Sequence, residues 1–235
     1  MMKAAPWPVT VLFVLSLALN LWFAGVPDWR WIPALFAGWY IADLLSGLTH
    51  MVMDYRPCTP GIGLDRMFHY AGSRESADYL ALRAEVLPRI SPFERLVYDF
   101  KNHHPRPEAL GRRSFLVQIG STIIFASLPF SILLNLACLA FAPPGWLIAG
   151  FIVLSIGGTL AQYFHGTLHR PDNPWIVRAM RRVGLLMNPE AHAVHHATLR
   201  QDFATNTGWS NPLVNVIFRL ATRRGWLTEA GLEPR

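Results

Sequence analysis

Charge is scarce in this chain. Of its 235 residues, 15 % are Asp, Glu, Lys or Arg, against roughly 25 % in ordinary soluble domains. Mean hydropathy is positive, and together with the scarce charge this reads as a membrane protein. Cysteine is scarce too. Cys58 falls in a loop and Cys138 in an apolar block, which argues against a structural disulfide and against a thiolate zinc site. No His-Glu-x-x-His motif is present, so a zinc-protease reading fails. Flavin, haem and ferredoxin motifs are also missing, as are internal repeats and low-complexity tracts.

Apolar sequence and histidine are what the chain has in excess. Hydrophobic residues reach 52 % and fall into four blocks, at about 9–25, 31–53, 115–142 and 146–165. About 20 apolar residues suffice to cross a hydrocarbon core. The first block follows a single basic residue, Lys3, and a cleaved signal peptide is its rival reading. Its length, and the lack of a small-x-small site after it, favour a span. Trp29, Trp31 and Trp39 suit a membrane interface. Pro129 predicts a kink in the third block, and Pro143-Pro144-Gly145 a tight turn.

The hydrophilic stretch 55–113 opens with turn residues and predicts a short helix over about 74–87. Ser91-Pro92-Phe93-Glu94 reads as a capping box with proline at the first helical position. The helix it starts carries Phe93, Leu96, Val97 and Phe100 on one face, with His103 and His104 at that face's edges. In the tail, 170–235, the segment Trp175–Met187 puts Trp175, Ile176, Ala179, Met180, Val183 and Leu186 on one side. Arg178, Arg181 and Arg182 take the other, the pattern of a helix lying in a membrane interface. A second apolar segment, Leu213–Leu220, comes after it.

Of the 21 Lys and Arg residues, ten lie in the long loop and nine beyond His169. The positive-inside rule then makes loop and tail cytoplasmic, with both termini inside. The expected fold is all-α: one integral membrane four-helix bundle with a cytoplasmic histidine-rich helical cap.

That topology uses no histidine, yet it gathers them. His50 ends the second block, His103 and His104 precede the third, and His165 and His169 close the fourth. His192, His195 and His196 share a helix face in the tail. Asp43, Gly47, His50 and Asp54 also share a face. His69 lies in the long loop. Taken alone, the tail triplet suits either a metal or a histidine-rich solvated helix. Eight imidazoles in one layer are too many for one ion and fit two first-row ions better. Imidazole suits iron, copper, zinc and nickel alike. Haem ligation would ask for two opposed histidines instead. The membrane context favours iron, whose paired ions suit dioxygen activation against an unactivated C–H bond.

The clusters resemble the histidine boxes of membrane fatty-acyl desaturases and hydroxylases. Three stretches are more specific: Ala42-Asp43 through Thr49-His50 with Asp54; Gln162-x2-His165-x3-His169; and Gly184-Leu-Leu through Glu190, His192 and His195-His196, with Thr207-Gly-Trp-x-Asn211 beyond it. Together they resemble the lipid desaturase family that includes plasmanylethanolamine desaturase and the plastid phosphatidylglycerol desaturase. The resemblance covers about 35–55 and 95–220. It implies that His50, His103, His104, His165, His169, His192, His195 and His196 hold two iron ions. Asp54 would orient a ligand or act as one, and Asp43, deeper, would bond a ligand histidine or another helix. It further implies dioxygen as co-substrate and a cytochrome b5 or ferredoxin-type electron donor. The substrate would be the acyl or alkyl chain of a membrane phospholipid, with no nucleic-acid partner. The setting would be a bacterial inner membrane or one like the endoplasmic reticulum. Two histidines of the plasmanylethanolamine branch are absent here, in Gly111-Arg112-Arg113-Ser114 and in Ala197-Thr198-Leu199-Arg200, as they are from the plastid branch; this questions vinyl-ether formation and not the desaturase site. Residues 56–90 look like an insertion, either a substrate lid or a surface loop. A hydroxylase on the same site and a non-catalytic metal or haem carrier remain as rivals.

Overall fold

The computed structural model describes residues 7–235; Lys3 lies outside them. Helices account for every regular element, and there is no strand among the described residues. The first two are α1 (Trp7–Ala24) and α2 (Trp31–Tyr55). The hydrophilic stretch folds into α3 (Leu64–Phe68), α4 (Ala77–Val86), α5 (Pro92–His103) and α6 (Pro107–Gly111). The third block is α7 (Phe115–Thr122), a π-helical turn over Ile123–Ser127 and α8 (Leu128–Phe141). Then come α9 (Gly145–Leu168), α10 (Trp175–Arg182), α11 (Pro189–Thr198) and α12 (Asn211–Arg223). Four helical stretches are long and apolar enough to cross a membrane: Trp7–Ala24, Trp31–Tyr55, Phe115–Phe141 and Gly145–Leu168. They match the four apolar blocks.

Helix α9 is the central post, packed against α1, α2, α7 and α8. Its broadest contact is with α2, and small residues make the contact possible. A Cβ on Gly38 would strike the Gly150 carbonyl oxygen, and one on Gly157 would meet Ala42 and Trp39. Close backbone approach replaces the hydrophobic drive that lipid cannot supply between helices. α1 and α8 are clamped by polar side chains. Ser131 Oγ lies 2.7 Å from Ser16 Oγ, Asn20 donates to Ser131 Oγ at 2.6 Å, and Asn135 donates to Ser16 Oγ at 2.9 Å. Outward, Leu12, Leu15, Leu133 and Leu139 stay exposed, the apolar belt that a bilayer covers. The break expected at Pro129 is the π turn just before it. Proline offers no N–H and its ring crowds the preceding turn, so the ladder widens by one residue there.

The remaining helices pack where α2 and α9 end and α7 begins. The 56–90 segment is not a bare loop. Leu64, Met67, Phe68, Tyr79, Leu82 and Val86 form a second core with Val97 and Tyr98 of α5. Its helix spans 77–86, shorter than expected, because Ser76 caps it by accepting from the Tyr79 amide. The capping box at α5 is half made. Ser91 Oγ accepts from the Glu94 amide, but Glu94 reaches instead to the Thr59 amide at 2.7 Å and ties the loop down. α10 also differs from its sequence reading. Val177 is its buried residue, and Arg181 turns inward to donate to the Met187 carbonyl and the Thr167 hydroxyl. Trp175, Ile176 and Val183 remain exposed, as an interfacial face requires.

Candidate metal centre

Eight histidines from four places in the chain meet in one layer. They resolve into two donor sets. His103, His165, His169, His192 and His196 form one; His50, Asp54, His104 and His195 form the other, and within each set the donor atoms lie within 4.8 Å of one another. The α11 triplet is therefore divided. Two of its rings face the first set and His195 faces the second. Spacing of three and four residues gives one helix face, but the face is wide enough to serve two neighbouring positions.

Within the first set, His192 Nε2 lies 3.0 Å from His165 Nε2, 3.2 Å from His169 Nε2 and 3.1 Å from His196 Nε2. One nitrogen carries at most one proton and cannot satisfy three such neighbours. Nitrogens that share an ion at about 2.1 Å, at right angles, sit about 3 Å apart. In the second set, Asp54 Oδ2 lies 3.3 Å from His50 Nε2, 3.5 Å from His104 Nε2 and 3.4 Å from His195 Nε2. Both Asp54 oxygens, His50 Nε2 and His103 Nε2 are buried without a hydrogen-bond partner. Orphaned buried polar atoms are costly, and a cation at each set would satisfy them. The donors are imidazole and carboxylate with no sulfur, a chemistry that fits iron. Rings of neighbouring histidines pack with centroids such as 4.6 Å for His50–His195 and 4.8 Å for His165–His192, too close for either pair to flank a porphyrin.

The ring tautomers are set by backbone carbonyls, which can only accept. His50 Nδ1 faces the Phe203 carbonyl at 2.9 Å, His195 Nδ1 the Gln201 carbonyl at 2.9 Å, and His103 Nδ1 the Phe100 carbonyl. Each Nδ1 must carry the proton, and each Nε2 lone pair points inward, ready to ligate. Burial first, then neighbouring imidazoles, lowers the pKa of His169 to about 4 and of His196 to about 3, and pushes His103 and His192 well below the usual value. These rings are neutral bases at physiological pH.

The segment 201–206, buried from Phe203 on, thus supplies two orienting carbonyls, and Asp43 fastens the turn between that segment and α12. Asp43 joins neither donor set. Its Oδ1 accepts from the Thr207 and Gly208 amides at 2.8 and 3.1 Å, and its Oδ2 from the Ser210 amide and hydroxyl at 3.0 and 2.7 Å. The sequence pattern puts it on the histidine face of α2, but two turns above His50 its carboxylate meets the start of α12. Asp43→Ala is expected to cost about 3 kcal/mol of stability, since it strands buried donors. Thermal unfolding in detergent checks this, and an unchanged melting temperature would refute the anchoring role.

Lys101 was legible only as one of the ten basic loop residues. It is fully buried, and its Nζ donates to the Met53 and Asp54 carbonyls at the end of α2. Burial lowers its pKa to about 8. It caps the helix that carries His50 and Asp54, where a cation suits the C-terminal dipole. His69 stands apart and exposed, 3.8 Å from Glu233. Cys58 and Cys138 lie in other clusters.

A cavity of about 760 Å³ adjoins the centre, and His50 and His165, one from each donor set, form part of its wall. The remaining lining is largely apolar and runs between α2, α5, the π turn and α9.

Comparison with known proteins gives a consistent result. The model of the lipid desaturase domain family matches residues 93–224. Plasmanylethanolamine desaturase of Myxococcus xanthus is 27 % identical over 227 residues, covering 94 % of this chain and 69 % of that protein. Chloroplastic fatty acid desaturase 4 of Arabidopsis thaliana is 27 % identical over 213 residues, covering 86 % of this chain and 54 % of that protein. No solved structure matches.

Proposed function

We propose, from the premise that this chain belongs to the lipid desaturase family, that it is a dioxygen-dependent two-iron desaturase of membrane phospholipids. The observation that carries this reading is the meeting of both donor sets at the wall of one apolar cavity. Two irons bound there would supply the oxidising power that takes one hydrogen from each of two neighbouring carbons, with dioxygen as acceptor and electrons from an external donor.

The chain's own groups do the rest. His103, His165, His169, His192 and His196 would hold one ion, and His50, Asp54, His104 and His195 the other. The Phe100, Gln201 and Phe203 carbonyls fix ring orientation, and Asp43 anchors the loop that carries two of them. Asp54 supplies the one carboxylate among the ligating side chains. The cavity wall holds an acyl or alkyl chain beside His50 and His165 and keeps water from the reacting carbons. On this reading α3–α6 and the tail face the cytoplasm, and both termini lie inside. The net charge of +6 suits an acidic cytochrome b5 or ferredoxin-type donor.

The test combines metal analysis with product analysis. Purified protein should carry two irons per chain and, with reductant, dioxygen and phospholipid, yield an alkene that lacks two hydrogens. An alcohol as sole product would assign a hydroxylase instead. Protein that binds no iron would sink both.

A further inference from the structure

The cavity wall also carries charge that metal binding does not use. Arg83 of α4, Arg95 and Asp99 of α5, and Arg113 ahead of α7 all belong to its wall. Asp99 is already shared. Arg95 Nε donates to Oδ1 at 3.0 Å and Arg113 Nη2 to Oδ2 at 3.4 Å. The Arg83 side chain makes no hydrogen bond or ion pair among the described residues and is only partly exposed. Two guanidiniums thus share one carboxylate, a third on the same wall has no partner among the described residues, and each retains spare N–H donors, since guanidinium has five. Such an array matches a phosphate, whose oxygens accept from paired guanidinium N–H groups.

Height selects the kind of phosphate. Arg113 lies two residues before Phe115, the first residue of the third span. Phe125 also lines the cavity, lies ten residues further along that span and is 72 % exposed on its flank. At 1.5 Å per residue the cavity therefore runs about 15 Å along the span from the interface. An occupant with an anionic end at the interface and an apolar chain at bilayer depth is a lipid in place, not a soluble carrier.

We infer that Arg83, Arg95 and Arg113 form a clamp for the phosphodiester of a phospholipid whose chain enters the cavity past His50 and His165. The inference rests on the desaturase reading for what happens to the chain, not for binding. The clamp would set the distance from head group to reacting carbons.

The full chain in detergent is titrated with fluorescent phosphatidylmethanol, which bears a phosphodiester and no further head group, with the matching diacylglycerol, and with the matching acyl-coenzyme A. Phosphatidylmethanol should bind at least about tenfold tighter than diacylglycerol. Arg83→Gln should lose about tenfold of the phosphatidylmethanol affinity, leaving diacylglycerol binding and iron content unchanged. Arg83→Lys should recover part of it. Because Arg83 has no intramolecular partner, its loss spares the fold; Arg95→Gln and Arg113→Gln test the other two. Equal binding of lipids with and without phosphate would overturn the clamp, and tighter binding of acyl-coenzyme A would overturn its assignment to a bilayer lipid. Phosphate-dependent binding without desaturation would uphold the clamp and sink only the catalytic reading. Desaturation without phosphate dependence would do the reverse.

Discussion

Replacing His192 with alanine is expected to abolish lipid desaturation and to leave at most one iron per chain. His192 is the hub of the five-imidazole set, with three other Nε2 atoms within 3.2 Å of its own. It is 1 % exposed, so water has little access to replace it. Its removal opens the centre of the set rather than its edge. Even outer partners of metal ligands cost about 10- to 100-fold when lost, so a drop of at least about 100-fold in product is expected here. Elemental analysis and lipid mass spectrometry of the same preparation provide the check. Full turnover with two irons retained would overturn the assignment. His69→Ala serves as the comparison, since His69 is exposed and outside both sets, and it should change neither reading.

The second large effect is expected from Gly38→Leu. At Gly38 the α2 backbone approaches that of Gly150 in α9, and neither partner is a flexible side chain that can yield. The helices would have to part, and overpacking of this kind costs up to about 3 kcal/mol or more. His50 and Asp54 sit near the end of α2 and His165 near the end of α9, so the donor sets would part as well. The variant should reach the membrane, then aggregate on extraction and carry no iron. Monodisperse, iron-loaded protein would refute the argument. Gly158→Leu makes the contrast. A Cβ there meets nothing within 4 Å because Gly158 faces the cavity. It should keep fold and iron and lose turnover by obstruction.

The spans and the histidine layer were legible for a simple reason. Apolar blocks and the sidedness of basic residues are local or additive properties, readable without contacts. What was hidden depends on where side chains end. Asp43 and Asp54 are eleven residues apart on one helix face. Sequence cannot say that the tail re-enters between the ends of α2 and α9 to claim the first and leave the second to the histidines. Gly47 marks that entry, since a Cβ there would strike Ala204. Lys101 entered as one of ten basic loop residues because the count sees charge, not burial. Of the 56–90 segment the sequence showed the helix near 77–86 but not α3 or the packing, because elements this short show little period. Their apolar residues make sense only against Val97 and Tyr98.

The division of α11 between both sets has a consequence for the life history of the chain. Synthesis runs from the N-terminus, and His50 emerges long before His192, His195 and His196. Neither position is complete until the tail has left the ribosome and docked on the bundle. No ion can be captured with its full shell during synthesis, however early the first spans insert. Filling either position would also fix the same short helix, so the two loadings would be coupled. Binding free energy at such sites is folding free energy. Metal uptake would then close the fold as its last step, and metal loss would release the tail first.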